Sequence, residues 1–503
     1  MGEGTPAVVP ARRGAIVGAV VAVALVALTV RIAVFVAPDA LLWMRENDDG
    51  IMFAGSVALL HGRLPYVDFD FVHPPGSLLA LTPFALLGGG TTEAVGLAGA
   101  RLFTVGVGVA NTTIIALLLR RFGVAAILVG GGLYAVWGAA VATEQTYLLE
   151  PYLNLALLVA LLAVASRHRS APIVAGIALG LALVTKYWAI IDVALVAWMV
   201  VAMLGRRAVA RYLVSGAISA GVAALPFFFT DPVAMWSLTV SAQLGRGGND
   251  VPLVERADVF SPYVSFEALR ELIPTAASGL GMALLLAFAA LPAVEMLRAR
   301  RPPSTWPDEA WWVIIALAHA LVLAVSAMFF YHYAAWLMAP LALSLGAAVG
   351  RLRHVVVRRA VLALSLVVLA VMAAGELVPA ETTPSARVLQ AWAADRSCVA
   401  GMTSTLVAAD RVATNLDNDC PMDIDPLSLG MTLPNAASLS HRDLVESEAW
   451  HARWWSYVEG ADAAVMLPSE RAWLSEDRLA HFERQFVLDD RIGPYELWIR
   501  QGR

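Results

Sequence analysis

Charged residues, cysteine and lysine are all scarce in this chain of 503 residues. Charged side chains make up 15% of it, against roughly 25% in a soluble domain, which excludes an ordinary soluble protein over most of its length. The two cysteines and nine histidines show no metal-ligand spacing, so no metal site is predicted and a divalent cation is left open as a cofactor. No nucleic-acid partner is expected.

The shortage of charge is uneven. Residues 1–379 consist of long apolar runs separated by short polar turns, whereas residues 380–503 hold nearly half of the 40 acidic residues. We therefore predict a transmembrane domain over 1–379 and a small, soluble α/β domain over 380–503. Strand-like apolar runs at 463–467, 486–488 and 495–499 support the α/β assignment.

About eleven apolar segments approach or exceed the roughly 17 residues that a bilayer-spanning helix needs. The first, 15–36, is too long for a cleaved signal peptide. Arg12 and Arg13 precede it, and arginine clusters occupy each predicted cytoplasmic turn, so the N-terminus is expected in the cytoplasm and the tail outside. The predicted crossings are 14–36, 94–119, 124–142, 151–166, 172–187, 188–204, 212–229, 273–297, 310–330, 334–350 and 360–378.

The first outer loop, 37–92, contains two apolar stretches that are too short to cross, at 49–61 and 74–87. We expect both to be helices lying along the outer membrane surface. An extracytoplasmic tail would allow Cys398 and Cys420 to form a disulfide, the alternative being two buried thiols. No internal repeat is evident, so an inverted-repeat transporter is not supported.

The first candidate site is Glu46-Asn47-Asp48-Asp49, at the outer end of the first crossing. Acids at a helix N-terminus are often caps that have no further role. At a membrane face, however, an ionised carboxylate needs a solvated cavity or a partner, and Asp48 or Asp49 would serve as a general base.

The same loop continues with alternating aromatic and acidic residues that include Asp68 and Asp70, followed by His73 and the bend Pro74-Pro75. The simpler interpretation is an aromatic interface anchor before a helix start. The functional interpretation makes Asp68 and Asp70 substrate-binding residues and places His73 against a phosphate.

Lys186 is the only lysine in the chain. It lies at the outer end of a predicted helix, where an interfacial lysine with an aromatic neighbour is common. A compact ammonium also binds phosphate well. Arg246, in a glycine-rich outer loop, is a second candidate phosphate ligand, the alternative being a solvated flexible loop.

Four further candidates flank outer turns: Glu144 and Glu150 before the fourth crossing, and His332 and Tyr333 between the ninth and tenth. Each has a plain alternative as a helix-start acid or an interfacial aromatic. Together with the preceding residues they place acids and cations on one outer face. Transfer from a lipid phosphate needs both, because acids activate a hydroxyl and cations stabilise the leaving phosphate.

The order of these motifs resembles the GT-C superfamily of membrane glycosyltransferases, in particular the branch of the protein O-mannosyltransferases and the lipid A aminoarabinose transferase. That resemblance covers about residues 14–260. It is carried by an acidic pair, a basic residue before proline, a helical arginine, an acid before proline, a Thr-Lys pair and a loop arginine, which correspond here to Asp48-Asp49, His73-Pro74-Pro75, Arg101, Glu150-Pro151, Thr185-Lys186 and Arg246.

The resemblance implies that Asp48 or Asp49 is the base, with Asp48 favoured, and that His73, Lys186 and Arg246 bind the phosphate of a polyprenyl-phosphate sugar. It adds Arg101 as a candidate substrate-binding residue. His73 departs from the family pattern, which has lysine there, so this contact would weaken as His73 loses its proton. The implied reaction transfers a sugar to a hydroxyl of a glycan, lipid or protein at the outer face of the cytoplasmic membrane, with inversion at the anomeric carbon.

Two other functions are compatible with the composition. A transporter or flippase of a lipid-linked or anionic substrate predicts ionisable residues at mid-membrane, and Arg31 and Asp192 are the main candidates for that. A non-catalytic envelope assembly protein predicts that Asp48 and Asp49 are dispensable for anything but stability.

Overall fold

The computed structural model describes residues 13–245, 247–249, 251–260, 275–377, 383–428, 432 and 441–502. Within these ranges the protein is mainly helical, with one four-stranded sheet near the C-terminus. The helices of the membrane domain are α1 (Arg13–Ala33), α2 (Asn47–Leu60), α3 (Gly76–Gly89), α4 (Glu93–Leu119), α5 (Val124–Val136), α6 (Gly138–Glu144), α7 (Glu150–Ser166), α8 (Ala171–Leu183), α9 (Ala189–Leu204), α10 (Arg206–Phe228), α11 (232–244), α12 (Leu253–Asp258), α13 (Thr275–Arg298), α14 (Asp308–Val325), α15 (Ala334–Gly350) and α16 (Val355–Glu376).

Among the described residues, six helical segments are long and apolar enough to cross a membrane, and the bent pair α5–α6 would make a seventh. The six are Arg13–Val36, Glu93–Phe122, Arg206–Phe228, Asp308–Val325, Tyr331–Gly350 and Val355–Glu376. The predicted crossings at 151–166, 172–187, 188–204 and 273–297 coincide with helices that are apolar over only 10–17 described residues. A polytopic helical membrane domain is therefore confirmed, while the number of eleven crossings stays a prediction.

Two predicted helices differ from the structure. The segment predicted as one helix over 124–142 bends by 56° between α5 and α6. The bend falls at Trp137, whose backbone is extended (φ −75°, ψ 119°) and whose indole Nε1 donates to the Phe260 carbonyl at 3.0 Å. Lys186, predicted inside a helix, lies in the connection between α8 and α9, which leaves its side chain available to neighbouring elements.

The helices of the bundle differ in how much of their apolar surface is buried inside the protein. Helix α15 is central, with 94% of its most apolar stretch buried, whereas α10 and α16 are peripheral, with 11% and 6% buried. The peripheral helices expose residues such as Val222, Val356 and Leu364. Exposed apolar side chains of this kind are stable against lipid tails and would be costly in water.

The two short helices expected in the first outer loop are α2 and α3. Between them, residues 61–75 form an irregular segment in which Tyr66 has a left-handed backbone (φ 70°). The loop thus places the N-terminus of α2, with its acidic residues, beside the turn that contains His73.

The C-terminal domain is a small α/β unit, as predicted. Its strands β1 (Val399–Ala400), β2 (Ala463–Met466), β3 (Phe486–Ile492) and β4 (Tyr495–Arg500) form a sheet in the order β1-β2-β4-β3. β1 and β2 are parallel and the other pairs antiparallel. Its helices are α17 (Ala386–Ala393), α18 (Thr403–Ala408), α19 (Val412–Asp417), α20 (His441–Val445), α21 (Glu448–Gly460), α22 (Pro468–Arg471) and α23 (Glu476–Gln485).

A disulfide joins Cys398, just before β1, to Cys420, just after α19, with their Cα atoms 5.7 Å apart. The predicted domain boundary at 379/380 falls outside the described residues. The first outer loop and the C-terminal domain bury one shared hydrophobic core, in which Phe53 and Leu78 of the loop lie with Leu406 and Ile424 of the domain.

Glu93, the first residue of α4, fastens the C-terminal domain to the bundle. Its carboxylate accepts the backbone N–H groups of Val412 (3.0 Å) and Ala413 (2.7 Å), at the start of α19. Its own N–H donates to Asp410 at 2.8 Å. An acid at a helix N-terminus satisfies donors that have no partner within the helix, so this contact stabilises the docked domain.

Candidate active site

The acidic sequence 46–49 forms the N-terminus of α2. Glu46 is the N-cap residue, and its carboxylate accepts the backbone N–H of Asn47 at 3.1 Å. Asp48 and Asp49 follow in the first helical turn, where the unpaired N–H groups of the helix favour negative charge. Local structure alone would therefore tolerate both carboxylates.

The neighbours of Asp48 and Asp49 differ. Asp49 is fully buried, and its Oδ2 accepts from Arg101 Nε at 2.8 Å. Arg101 Nη1 also donates to the carbonyls of Leu41 and Trp43, at 2.9 and 2.7 Å. The pair therefore ties the first outer loop to α4, whereas the Asp48 side chain faces a cavity.

The turn that contains His73 is held against the connection that contains Lys186. The Gly76 N–H donates to the Val184 carbonyl at 2.8 Å, and a Cβ at Gly76 would lie 2.5 Å from that oxygen. Only glycine permits this approach. Tyr66 further fixes the turn by donating its hydroxyl to the His73 carbonyl at 2.7 Å.

Lys186 is surrounded by one carboxylate and two aromatic rings. Its Nζ lies 2.5 Å from Glu150 Oε1, 4.7 Å from the Trp188 ring centre and 4.2 Å from that of Tyr333. Side chains of this kind hold an ammonium in one place by ion pairing and cation–π attraction. Asp48 also interacts with this ammonium electrostatically.

These groups line one cavity of about 840 Å³, formed by the first outer loop, the ends of the membrane helices and the C-terminal domain. Of the predicted site residues, it contains Asp48, His73, Glu150, Lys186, His332 and Tyr333. Apolar residues of the membrane helices continue the wall: Ile190, Ile191, Val240, Leu244 and Val322. A cavity of this size accommodates a sugar phosphate and an apolar chain.

Five of the predicted residues do not line the cavity. Asp49 and Arg101 are the buried pair described above. Glu144 is buried within the bundle, where Arg31 Nε donates to its Oε2 at 2.5 Å and Tyr134 to its Oε1 at 2.7 Å. These contacts give Glu144 a structural role.

Asp68 and Asp70 also lie elsewhere in the first outer loop. Asp68 accepts the Leu64 N–H at 2.6 Å and so closes the turn 64–68. Asp70 accepts from Ser428 Oγ of the C-terminal domain at 3.3 Å. Burial raises the pKa of the Asp70 carboxyl, and the nearby charge of Asp423 raises it further. Asp70 therefore belongs to the contact between the loop and the C-terminal domain.

Arg246 lies outside the described residues. The neighbouring Gly247 and Gly248 line the cavity, and Gln243 donates its Nε2 to the Val72 carbonyl at 2.9 Å. The glycine-rich loop singled out in the sequence therefore borders the same cavity as His73.

Several lining residues were not predicted. Glu46, which was part of the first candidate motif but had no predicted role, accepts from the hydroxyl of Tyr331 at 2.6 Å, and Tyr331 directly precedes the predicted His332. Asp425 and Leu444 come from the C-terminal domain, more than 370 residues from Asp48 along the chain. No local pattern distinguishes these two, because only the docking of the domain brings them to the cavity.

Three aspartates of the segment 417–423 in the C-terminal domain have protein partners. Asp417 lies 3.6 Å from His61 Nε2, Asp419 pairs with Arg63 at 2.7 Å, and Asp423 pairs with Arg453 at 2.8 Å. Throughout the described part of the chain, no group of three His, Cys, Asp or Glu side chains is placed to hold a metal ion.

No protein-family model matches the chain, and no curated protein matches it in sequence. Solved structures do match it in fold. ArnT from Cupriavidus metallidurans, bound to undecaprenyl phosphate, is 15% identical, with a TM-score of 0.52, over 97% of this chain and 98% of ArnT. This chain shares its fold with ArnT.

A second solved protein shares this fold. The Archaeoglobus fulgidus oligosaccharyltransferase in its apo form is 14% identical with a TM-score of 0.55, over 94% of this chain and 73% of the other. The same archaeal protein, AglB, complexed with an inhibitory peptide and a dolichol-phosphate, is 13% identical with a TM-score of 0.53, over 94% and 72%. At these identities the likeness establishes the fold.

Proposed function

We propose that this GT-C protein is a glycosyltransferase that moves a sugar from a polyprenyl-phosphate donor to a hydroxyl acceptor. The observation that carries the proposal is the single cavity that contains Asp48, His73 and Lys186, which lie far apart in the sequence. A general base and phosphate-binding cations in one cavity are the groups that this reaction needs. The undecaprenyl phosphate bound to ArnT supports a polyprenyl-phosphate donor.

The donor would occupy the part of the cavity formed by the membrane helices. Its phosphate would bind Lys186, which Glu150 and the rings of Trp188 and Tyr333 hold in place. Ile190 and Val322 would contact the start of the polyprenyl chain. His73 and Arg246 are the proposed additional phosphate ligands.

Asp48 is the proposed base. Its carboxylate would take the proton of the acceptor hydroxyl as the hydroxyl oxygen attacks the anomeric carbon. The bond from that carbon to the phosphate oxygen breaks, and its electron pair remains on the polyprenyl phosphate. Lys186 would stabilise the additional negative charge, and attack opposite the leaving phosphate inverts the anomeric centre.

Asp49 is less suited to this role, because its carboxylate is fully buried against Arg101. Glu150 is similarly engaged with Lys186. The proposal therefore assigns proton removal to Asp48 alone.

We further propose that the reaction occurs at the outer face of the cytoplasmic membrane, with the N-terminus inside and the C-terminal domain outside. The arginine-rich turns of the sequence and the disulfide of Cys398 and Cys420 support this orientation. The products would be cell-envelope glycans, glycolipids or glycoproteins.

The proposal is tested with the purified full-length protein in lipid nanodiscs, envelope membranes as the acceptor source and a panel of radiolabelled polyprenyl-phosphate sugars. We expect label to leave the carrier for at least one donor, and undecaprenyl phosphate to compete with that donor. A flippase would move the carrier across a vesicle bilayer without chemical change, and an assembly protein would do neither. Either result, with no transfer from any donor, would reject the proposal.

The phosphate-binding role of Lys186 needs a variant that does not strand a buried charge. Removing Lys186 alone leaves Glu150 without its partner, so the double variant Lys186→Met/Glu150→Gln is preferred. We expect undecaprenyl phosphate to bind this variant at least about tenfold more weakly, because a charge-assisted contact is lost. Arg63→Ala, on the exposed surface of the first outer loop, is the control and should bind as the unmodified protein does.

A further inference from the structure

One short helix of the C-terminal domain packs directly on the helix that contains Asp48. At the contact between α18 and α2, a Cβ added to Gly50 would lie 2.5 Å from Ser404 Cα and 2.6 Å from Ser404 Cβ. No larger residue fits at position 50 unless one of the two backbones moves. The two helices therefore meet two residues after Asp48.

A hydrogen bond reaches the residue on the other side of Asp48. Ser404 Oγ donates to Asn47 Oδ1 at 3.0 Å, and in this contact Ser404 is buried and Asn47 is partly buried. Asn47 and Asp48 both line the cavity. Ser404 thus contacts α2 immediately before and shortly after the proposed base.

The membrane domain also holds this helical turn. Arg101 of α4 binds Asp49, the residue between Asp48 and Gly50. The first turn of α2 is consequently held by Arg101 on one side and by Ser404 on the other. Asp48 is the one carboxylate in this turn that faces the cavity.

Helix α18 also places the part of the C-terminal domain that enters the cavity wall. Thr403 Oγ1 donates to the carbonyl of Ile424 at 2.9 Å, next to the cavity-lining Asp425. Ile424 in turn packs over Gly55 of α2, since a Cβ there would lie 3.5 Å from Ile424 Cγ2. Helix α18 therefore contacts both the helix that contains Asp48 and the segment of the C-terminal domain that lines the cavity.

We infer that Ser404 is a positioning residue, which fixes the first turn of α2 so that the Asp48 carboxylate points at the acceptor hydroxyl. This inference rests on the proposed transferase function. It makes the C-terminal domain a component of the transfer site, and it separates two quantities: the docking of α18 controls turnover, whereas carrier binding depends on Lys186.

The first experiment compares two glycine-to-alanine substitutions in the two helices of the outer loop. Gly50→Ala forces α2 away from Ser404, whereas Gly89→Ala, at the end of α3, meets nothing within 4 Å. We expect Gly50→Ala to lower kcat at least tenfold while undecaprenyl phosphate binds within about twofold of the unmodified protein. Gly89→Ala should change neither quantity.

The second experiment tests the same inference with another variant, in case Gly50→Ala does not fold. Asn47→Cys and Ser404→Cys together place two thiols where the present side chains are 3.0 Å apart, and mild oxidation should join them. We expect the oxidised double variant to retain turnover, since the bond replaces the hydrogen bond that docks α18. The single variant Ser404→Cys under the same oxidation controls for the native disulfide.

Two results would overturn the inference. One is an unchanged kcat in Gly50→Ala, and the other is a cross-linked protein that binds undecaprenyl phosphate but does not turn over. Failure of the proposed function is recognised separately, because the unmodified protein would then transfer no sugar in the first measurement of the series.

Discussion

Two ionic clusters lie at opposite ends of helix α7, and they differ in what their charges face. The outer cluster (Asp48, His73, Glu150 and Lys186) surrounds a cavity of about 840 Å³. The inner cluster (Arg121, Arg167, Arg351, Asp308 and Glu309) joins the arginine-rich ends of several helices. Glu150 is the first residue of the 17-residue helix α7 and Arg167 directly follows its last, which corresponds to a separation of about 25 Å.

In the inner cluster the acids are satisfied by arginines. Asp308 pairs with Arg121 and, at 3.1 Å, with Arg167, and Glu309 pairs with Arg351 and, at 3.2 Å, with Arg121. Both carboxylates are buried, while the arginines are nearly half exposed. The arrangement fastens four helix ends together and leaves its carboxylates facing protein.

In the outer cluster the same kinds of charge line a cavity. Lys186 has one carboxylate partner, and Asp48 lines the cavity beside it. The comparison teaches that charge at a helix end does not by itself indicate function. A charged group becomes a candidate for catalysis when the packing around it leaves room for a substrate.

The largest expected effect concerns the two adjacent aspartates, Asp48 and Asp49. Asp48→Asn removes the proposed base and should lower kcat about 10²- to 10⁴-fold with little change in thermal unfolding. Asp49→Asn leaves Arg101 buried without its carboxylate and should destabilise the protein by about 3–5 kcal/mol. Activity assays and tryptophan-fluorescence melting of both variants check this, and equal activity losses at equal stability would contradict the assignment.

The inner cluster is expected to affect stability alone. Asp308→Asn breaks the contacts with Arg121 and Arg167, and because these arginines are partly exposed we expect a loss of about 1–3 kcal/mol. Binding of undecaprenyl phosphate at the other end of the bundle should not change. Asp395→Asn, exposed in the C-terminal domain, is the matched control. Weaker carrier binding in Asp308→Asn at unchanged stability would show that the two clusters are coupled.

A pH dependence is expected in the C-terminal domain, away from both clusters. Burial raises the pKa of Glu470 to about 7, although its carboxylate accepts the Leu467 N–H at 2.8 Å. Since the folded form then holds a proton that the unfolded chain releases above about 4.5, stability should fall as pH rises from about 5 to 7, by up to about 3 kcal/mol.

Melting of the full-length protein between pH 5 and 8 measures this effect. The control is Glu470→Gln, which keeps an acceptor for Leu467 but does not titrate, so its melting curve should lack this component. An identical pH profile in both proteins would assign the dependence to another group.

The smallest effect is expected at the exposed pair of Arg63 and Asp419, between α2 and the C-terminal domain. Solvent screens such a pair, so Arg63→Ala should cost less than about 1 kcal/mol and leave turnover unchanged. A large loss of turnover would show that the domain is held on α2 by surface charge rather than by the contact at Ser404.

The extent of sequence-based prediction differs between the fold and the site. The long apolar segments and the two surface helices of the first outer loop follow from local composition, and α2 and α3 lie where they were expected. The bend at Trp137 was missed, because it depends on a contact with Phe260 more than 120 residues away.

In the site, Asp48, His73 and Lys186 were expected to converge, and the structure places all three on one cavity. Glu144 and Glu150 were both predicted before the same crossing, yet Glu144 pairs with Arg31 inside the bundle and Glu150 with Lys186 at the cavity. The choice between these partners depends on which helices become neighbours, and a single sequence does not contain that information.

The sequence by itself determined which segments form long apolar helices and which form the more polar α/β domain, because these depend on the local density of apolar and charged residues. It also predicted which charged and aromatic residues lie at helix ends, and the assignment of those ends to the outer face stays a prediction. Only the tertiary structure decided that Asp48 faces the cavity while Asp49 is buried against Arg101, and that the C-terminal domain closes over α2 at Gly50. These outcomes depend on packing between distant segments, which decides which side chain remains accessible.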